Sequence, residues 1–121
     1  MVRGIRGAIT VDSNTKATIR EATECLLSAI VEQNQIHLED IASVFFTGTP
    51  DLDEEVPARA ARDMGWTSIP MFCMQEMMVV DSLPLCIRVM IHVNTNKQQL
   101  EIQHVYLGKA ARLRPDLTQG G

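Results

Sequence analysis

The residues of this chain that are best suited to chemistry are arginines set in apolar, strand-like stretches. Arg6 lies in the segment 2–11, Arg88 lies in 86–93 and Arg114 lies in 113–117. A guanidinium stays charged and is costly to bury without a partner, so arginines among Ile, Val and Met predict a pocket for an anion. We expect that anion to be small and to carry more than one carboxylate.

One carboxylate, Glu76, lies among sulfur-containing residues in the segment 73–77. In such surroundings a glutamate must pair with a cation, accept hydrogen bonds or become protonated, and Arg88 is the expected partner. Two interpretations stay open. The residues form a buried ion pair with no ligand, or they form part of a binding site.

Two more cations, Arg59 and Arg62, follow Pro57, which is well placed as the first residue of a short helix. Their spacing sets both side chains on one helix face. They meet a ligand or pair with the acidic run 53–55, and the sequence leaves both interpretations open. The acidic run itself is typical of a solvated loop.

Composition predicts one domain over residues 1–121, with a loose C-terminal tail from about residue 115. The chain has 121 residues, 45% of them hydrophobic, and a net charge of −4, which argues against a nucleic-acid-binding protein. Its apolar runs are too short for a membrane span or a signal peptide. The 3 cysteines lack Cys-x-x-Cys spacing, so we expect free thiols in a reducing cytoplasm.

The hydrophobic pattern predicts a mixed α/β (α+β) fold. Strands are expected at 2–11, 43–47, 68–72, 86–94 and 101–107. The N-cap cluster at 12–15 predicts a long helix that ends at Asn34, with Cys25 as a small buried residue on its flank. Arg6 shares its strand face with Gly4 and Ala8, which leaves room for a ligand or marks a bend in the sheet.

Several chemistries are excluded by what accompanies these residues. The three histidines, His37, His92 and His104, are scattered without the spacing of a zinc site or a catalytic triad. The segment 4–7 lacks the long Gly-rich stretch and the Lys-Ser/Thr ending of a phosphate-binding loop. We therefore expect no metal, no cofactor and no nucleophile.

Seven short segments resemble, in order and spacing, the monofunctional chorismate mutases of the trimeric AroH class. They are RGIRGA at 3–8, TPDL at 49–52, PARAAR at 57–62, CMQEM at 73–77, CIRVM at 86–90, HVYL at 104–107 and LRPDL at 113–117. Each motif is weak alone, but together they span nearly the whole chain and contain the charged residues described above.

The resemblance implies an isomerase that converts chorismate to prephenate by a concerted rearrangement, a step toward phenylalanine and tyrosine. It also implies a mixed sheet flanked by one long helix and shorter ones. Three subunits would form a homotrimer, a pseudo-α/β-barrel with active sites at its subunit interfaces. Chorismate and prephenate would be its small-molecule partners, with no nucleic acid and no membrane involved.

The resemblance also implies roles for individual residues. Arg88 would contact the ether oxygen and a carboxylate, Arg6 the side-chain carboxylate, and Glu76 the ring hydroxyl. Cys73 would form a polar wall near that hydroxyl, and Tyr106 would flank the enolpyruvyl group. The remaining substrate-binding residues would shape the apolar surroundings or supply further charge, with Arg62 and Arg114 at the mouth of the pocket: Val56, Ala58, Arg59, Arg62, Met71, Phe72, Met77, Leu113 and Arg114.

Three of these residues depart from the family pattern. Val56 stands where an aromatic residue is common, Arg59 where lysine is common, and Phe72 where a smaller polar residue is common. We expect these exchanges to affect affinity more than activity. Two alternatives to an enzyme remain: a noncatalytic oligomeric module that binds a small dicarboxylate, and a structural trimer specified by the Glu76–Arg88 pair.

Overall fold

The computed structural model describes residues 1–77 and 79–112. Five strands form one sheet: β1 (Val2–Thr10), β2 (Ile41–Gly48), β3 (Met71–Gln75), β4 (Cys86–Asn94) and β5 (Val105–Leu107). The described residues also form two α-helices, α1 (Lys16–Asn34) and α2 (Pro57–Asp63), and short 3-10 turns at Leu38–Asp40, Gln99–Glu101 and Gly108–Arg112. The prediction of a mixed sheet with one long helix and shorter helical segments is confirmed.

The sheet mixes parallel and antiparallel pairs, in the spatial order β3-β2-β4-β1-β5. The central strand β4 runs antiparallel to β1 and β2, whereas β3 and β5 run parallel to their neighbours at the two edges. Antiparallel partners cross the sheet directly, so residues far apart in sequence are placed side by side. Arg88, for example, lies between Ala8 of β1 and Thr47 of β2.

The two faces of the sheet differ sharply. One face packs under α1 and α2 and forms the core, with buried side chains that include Ile5, Ile9, Val44, Phe46, Ile87 and Ile91. The other, which we call the open face, carries the intervening residues of β1, β2 and β4, since successive strand residues point to opposite sides. A small second cluster of Ala8, Cys86 and Ala110 covers one end of the open face.

Helix α1 begins inside the predicted N-cap cluster. The Thr15 hydroxyl accepts a hydrogen bond from the Thr18 backbone N–H at 3.0 Å, and the Thr18 side chain caps the Thr15 N–H in return. The expectation that Cys25 is buried is wrong, because this residue lies outside the buried stripe and is exposed. Neither α1 nor any other helix within residues 1–77 and 79–112 is long and apolar enough to cross a bilayer.

Gly7 lets α1 approach β1 closely. A Cβ atom at this position would lie 2.7 Å from Cδ1 of Ile30 and 3.1 Å from Cγ1 of Val89, both in the packed core. Any side chain here would therefore push α1 away from the sheet.

The end of α1 is tied to the segment that leads into β5. The Asn34 side-chain amide donates to the Gln103 carbonyl at 2.8 Å and accepts from the Gln103 N–H at 2.8 Å. Lys97 Nζ donates to the last helical carbonyl, that of Asn34, at 2.6 Å. The predicted strand 101–107 is consequently shorter than expected, since its first residues form the 3-10 turn and this connection.

Strand β3 is shifted relative to its prediction. It spans Met71–Gln75 rather than 68–72, and Pro70 stands just before it. Pro70 has no N–H to donate, but its carbonyl accepts from the Val44 N–H at 3.0 Å and so starts the pairing with β2. β3 lies at one edge of the sheet, a position that tolerates a proline at the start of a strand.

Candidate functional site

A cleft of about 380 Å³ opens on the open face of the sheet. Its walls come from β1, β2, β4 and β5 together with the residue that follows β3. The lining residues are Arg6, Gly7, Phe45, Thr47, Glu76, Arg88, Val89, Met90 and Tyr106. Four of the predicted site residues, Arg6, Glu76, Arg88 and Tyr106, therefore meet in one place.

The two cations in the cleft are placed by strand register. Arg6 lies opposite Met90, and Arg88 lies opposite Ala8, two residues further along β1. The arginines are thus diagonal neighbours on one face of an antiparallel pair, a relation that typically separates Cα atoms by about 7–8 Å. Two guanidinium groups at this spacing attract an anion with more than one negative group.

The backbone of Arg6 is fixed by a histidine. Its N–H donates to Nδ1 of His104 at 2.9 Å, immediately before β5 begins to pair with β1 at Gly7. This acceptor role requires a His104 ring whose Nδ1 carries no proton. His104 therefore attaches β1 to the residue just before β5, one position beyond the β1–β5 strand pairing.

The small residues that flank Arg6 do not supply the open space. Ala8 is fully buried beneath Ala110, and the position over Gly4 is taken by Met90, whose sulfur would lie 3.1 Å from an added Cβ. The chain's own side chains fill those positions. The cleft opens instead between β1 and β2, over β4.

Glu76 is held at the end of β3 by its neighbours on β2. Its backbone N–H donates to the Gly48 carbonyl at 2.8 Å, and its Oε1 accepts from the Thr47 hydroxyl at 2.6 Å. The same Oε1 lies 3.6 Å from Nε of Arg88. The predicted pair of Glu76 and Arg88 is present, but its separation exceeds that of a hydrogen bond.

Arg88 contains an unsatisfied donor. Its Nε is shielded from solvent and has no hydrogen-bond partner within residues 1–77 and 79–112, whereas its side chain as a whole is 43% exposed. A buried donor without a partner costs free energy that a ligand would recover. This geometry favours a binding site over an ion pair that is complete by itself.

A second group of predicted residues lies on the opposite side of β3. Cys73 and Val56 line a separate cleft of about 270 Å³ together with Pro57. Cys73 pairs in register with Phe46, whose side chain is in the core. Cys73 therefore projects from the helix-covered face, while Arg88 projects from the open face.

The Cys73 thiol stays protonated at neutral pH. The residue is exposed, but partial desolvation of the thiol raises its pKa, and the Ala58 N–H and the charge of Arg62 offset only part of that rise. A protonated thiol is a poor nucleophile but a serviceable polar wall. All three cysteines are free, as expected.

Arg59 belongs to a cluster centred on Glu55. Oε1 of Glu55 accepts from Arg59 at 3.1 Å and from the Val56 N–H at 3.0 Å, and Oε2 accepts from Arg20 at 3.1 Å. Arg20 also pairs with Asp63. The interpretation of 53–55 as a solvated loop is wrong for Glu55, which is 7% exposed.

Hydrogen bonding controls the charge of Glu55. Burial acts to raise its pKa, but the hydrogen bonds from the Val56 N–H, Arg20 and Arg59 together bring that pKa below its ordinary value. Glu55 is therefore ionised at neutral pH and joins α2 to α1.

The other predicted residues are dispersed. Phe72 is exposed on the open face, with its ring centroid 6.1 Å from that of Phe45 in the cleft wall. Met77 is also exposed, whereas Ala58 is buried and Met71 packs against the core. Leu113, Arg114 and the predicted tail from 115 lie outside the described residues.

Five lining residues were not among the predicted site residues: Gly7, Phe45, Thr47, Val89 and Met90. The alternation of buried Val44 and Phe46 along β2 was enough to place Phe45 and Thr47 on the open face. Within the part of the chain that the structure describes, no group of three His, Cys, Asp or Glu side chains could hold a metal ion.

Comparison with known proteins gives a consistent result. The chorismate mutase type I family model matches residues 2–117. The chain is 47% identical to the chorismate mutase AroH of Bacillus subtilis (strain 168), over 98% of this chain and 94% of the relative. It is 48% identical to that of Thermus thermophilus, over 97% of each. A solved chorismate mutase from Clostridium thermocellum superimposes with a TM-score of 0.89 at 50% identity, over 91% of this chain and 98% of that one.

Proposed function

The chain belongs to the chorismate mutase type I family, and we propose that it acts through the cleft on the open face of its sheet. It is a chorismate mutase, an isomerase that converts chorismate to prephenate in the synthesis of aromatic amino acids. We place the site here because Nε of Arg88 is buried beside Glu76 and has no hydrogen-bond partner among the described residues. The free cysteines are consistent with a cytoplasmic enzyme.

The reaction suits a site made of cations and one carboxylate. An intramolecular bond reorganisation needs no nucleophile and no proton donor, but the substrate must be held in a compact chair while negative charge grows on the breaking ether oxygen. Arg88 is the donor aimed at that oxygen and at a carboxylate. Arg6, its diagonal neighbour, binds the side-chain carboxylate.

The remaining cleft residues orient the ring. Glu76 is held by Thr47 and accepts the hydrogen bond of the ring hydroxyl. Tyr106, at the β5 side of the cleft, flanks the enolpyruvyl group. Cys73, a protonated thiol, supplies a polar wall near the hydroxyl rather than a nucleophile.

The open face requires a partner, which we propose is a second and a third copy of the chain in a homotrimeric pseudo-α/β-barrel. Phe72 and Met74 are neighbours on this face of the edge strand β3, and they are 67% and 48% exposed. Exposed apolar residues that lie together mark an interaction surface.

Each active site is then shared between two subunits. Cys73 and Arg88 project from opposite faces of one sheet, so a pocket that contains both needs two chains. One subunit supplies the cleft with Arg6, Glu76, Arg88 and Tyr106. Its neighbour supplies the α2–β3 edge, whose predicted substrate-binding residues are Val56, Ala58, Arg59, Arg62, Met71, Phe72 and Cys73. Met77, Leu113 and Arg114 complete the surroundings.

The activity is tested by following the loss of chorismate's ultraviolet absorbance and the appearance of prephenate. The assay uses purified protein with a metal chelator and no added cofactor, and the Arg88→Ala variant purified in parallel controls for a contaminating host mutase. Because no protein group transfers a proton, we expect turnover that is nearly flat across neutral pH. Binding of chorismate without conversion would instead identify a dicarboxylate-binding module.

The shared site is tested by mixing two impaired variants, Arg88→Ala and Arg62→Glu, after reversible dissociation. If each site takes its cleft from one subunit and α2 from another, an equal mixture restores about one quarter of the sites. If both residues serve a site within one chain, the mixture regains nothing. Sedimentation of the wild type reports the trimer independently.

A further inference from the structure

Thr47 makes the shortest contact with Glu76 within the described residues. The two residues lie on neighbouring strands, and the Thr47 hydroxyl donates to Glu76 Oε1 at 2.6 Å. Thr47 is also the in-register partner of Arg88 on β4, so it is a neighbour of both the carboxylate and the cation. A hydroxyl that donates to a carboxylate at this distance makes a strong, charge-assisted hydrogen bond.

Because of this bond, the two oxygens of the Glu76 carboxylate have different roles. Oε1 accepts from Thr47 and faces Nε of Arg88 at 3.6 Å. The hydrogen bond and the ion pair that the Glu76 side chain makes with described residues both involve Oε1. One oxygen is therefore committed to the protein, and the other is available to a hydroxyl group of the substrate.

The same bond keeps Arg88 from pairing fully with Glu76. An ionised carboxylate within 4 Å of a guanidinium normally closes to a hydrogen-bonded distance of about 2.7–2.9 Å. Here Thr47 holds Oε1, and Nε of Arg88 stays without a hydrogen-bond partner in the described part of the chain. Removing the hydroxyl would free Oε1 to bind Arg88 directly, which would draw the guanidinium toward Glu76.

We infer that Thr47 is a positioning residue for the mutase reaction. It fixes Glu76 with Oε2 presented to the substrate hydroxyl and keeps Arg88 available for the developing charge on the ether oxygen. This role rests on the proposed function of the cleft, and Thr47 itself need not touch the substrate.

The test compares Thr47→Val, which replaces the hydroxyl by a methyl group, with Thr47→Ser, which keeps the hydroxyl. Losing a hydrogen bond to a charged group predicts that Thr47→Val lowers kcat/KM about tenfold to hundredfold, mainly through kcat. Thr47→Ser is expected within about threefold of wild type. The matched control is Thr23→Val, a similar exchange on α1, where the hydroxyl only donates to the helical Ile19 carbonyl at 2.8 Å.

A second comparison asks whether Thr47 acts through Glu76. In a Glu76→Ala background, assayed at high enzyme concentration, Thr47→Val should change kcat/KM by less than about twofold, because the acceptor of the hydrogen bond is already absent. A full, additive loss in that background would overturn the inference, as would equal activities of Thr47→Val and Thr47→Ser. If Thr47→Val does not fold, Thr47→Ala replaces it in both comparisons. An inactive wild type would refute the proposed function instead.

Discussion

Two carboxylate–arginine clusters in the described part of the chain differ in how completely their hydrogen bonds are satisfied. Both oxygens of Glu55 are engaged, by Arg20, Arg59 and the Val56 N–H at 3.0–3.1 Å. In the cleft, only Oε1 of Glu76 has a hydrogen bond among the described residues, and Arg88 stops at 3.6 Å from it.

This difference distinguishes a cluster that stabilises the fold from a pair that can bind a substrate. A buried charge that is saturated by its own chain has little left to offer a ligand, and its removal leaves its partners unpaired. A charge pair that keeps an unused acceptor and an unpaired donor can still form hydrogen bonds with a substrate. Charged residues alone therefore do not mark the site, since both clusters have them.

The largest expected effect follows from removing the orphaned donor. Arg88→Ala should lower kcat/KM by at least about a hundredfold to a thousandfold, the loss typical of one donor to a developing oxyanion. The fold should be retained, because this side chain is 43% exposed. Activity is read from chorismate absorbance and folding from circular dichroism, and a folded variant with near-normal turnover would remove Arg88 from its assigned role.

The saturated cluster should respond in the opposite way. Glu55→Gln leaves Arg59 without a charged partner and Arg20 with Asp63 alone, so the free energy of unfolding should fall by about 2–3 kcal/mol. Turnover of the folded variant at low temperature should change little. Urea denaturation measures the first effect, and Glu54→Gln, an exposed neighbour, is the matched control with an expected change of less than about 0.5 kcal/mol. Equal losses from both variants would contradict the structural role of Glu55.

Because the pKa of Glu55 is lowered in the folded protein, the stabilising effect of the Glu55 cluster depends on pH. In the folded protein Glu55 takes up its proton less readily than in the unfolded chain, where its pKa is near the ordinary 4.5. Its stabilising contribution is therefore complete above that value and is lost as pH falls through the lower, folded-state pKa. Urea midpoints measured between about pH 6 and about pH 3 should decline less steeply for Glu55→Gln than for wild type. Parallel declines would show that other carboxylates dominate.

The smallest effect on activity is expected at Arg59, which belongs to the Glu55 cluster and would contact the same substrate as the cleft residues. Arg59 is paired with Glu55 and its side chain is 63% exposed, so Arg59→Ala should raise KM about threefold to tenfold and leave kcat nearly unchanged. Arg59→Lys should fall between this variant and wild type. Steady-state kinetics separates the two constants. A large fall in kcat would move Arg59 from the rim of the site to its centre.

Much of the fold could be predicted where one local pattern decides the structure. β1 and β4 alternate between core and open face, and α1 has both an N-cap cluster and an apolar stripe, so their positions were anticipated. β3 and β5 were misplaced because their boundaries depend on Pro70 and on the contact between Asn34 and Gln103, which only the tertiary structure creates.

The site could be predicted in part for the same reason. Arg6 and Arg88 are conspicuous because charge is unusual in an apolar strand, and Glu76 is conspicuous among methionines. Thr47 carries no such signal, since threonine is common in strands. Glu55 was misjudged because an acidic run gives no sign of which member turns inward to meet Arg20, a residue 35 positions away.

The contact between Asn34 and Gln103 has a consequence for local motion. β5 pairs over only three residues with β1, so on its own it would open readily and expose its amides to exchange with solvent. The Asn34 side chain attaches the segment before β5 to α1, and His104 attaches that segment to Arg6. The amide of Gln103 should therefore exchange at the rate at which the end of α1 opens. Fraying of a helix on the covered face would then loosen the wall of the cleft that carries Tyr106.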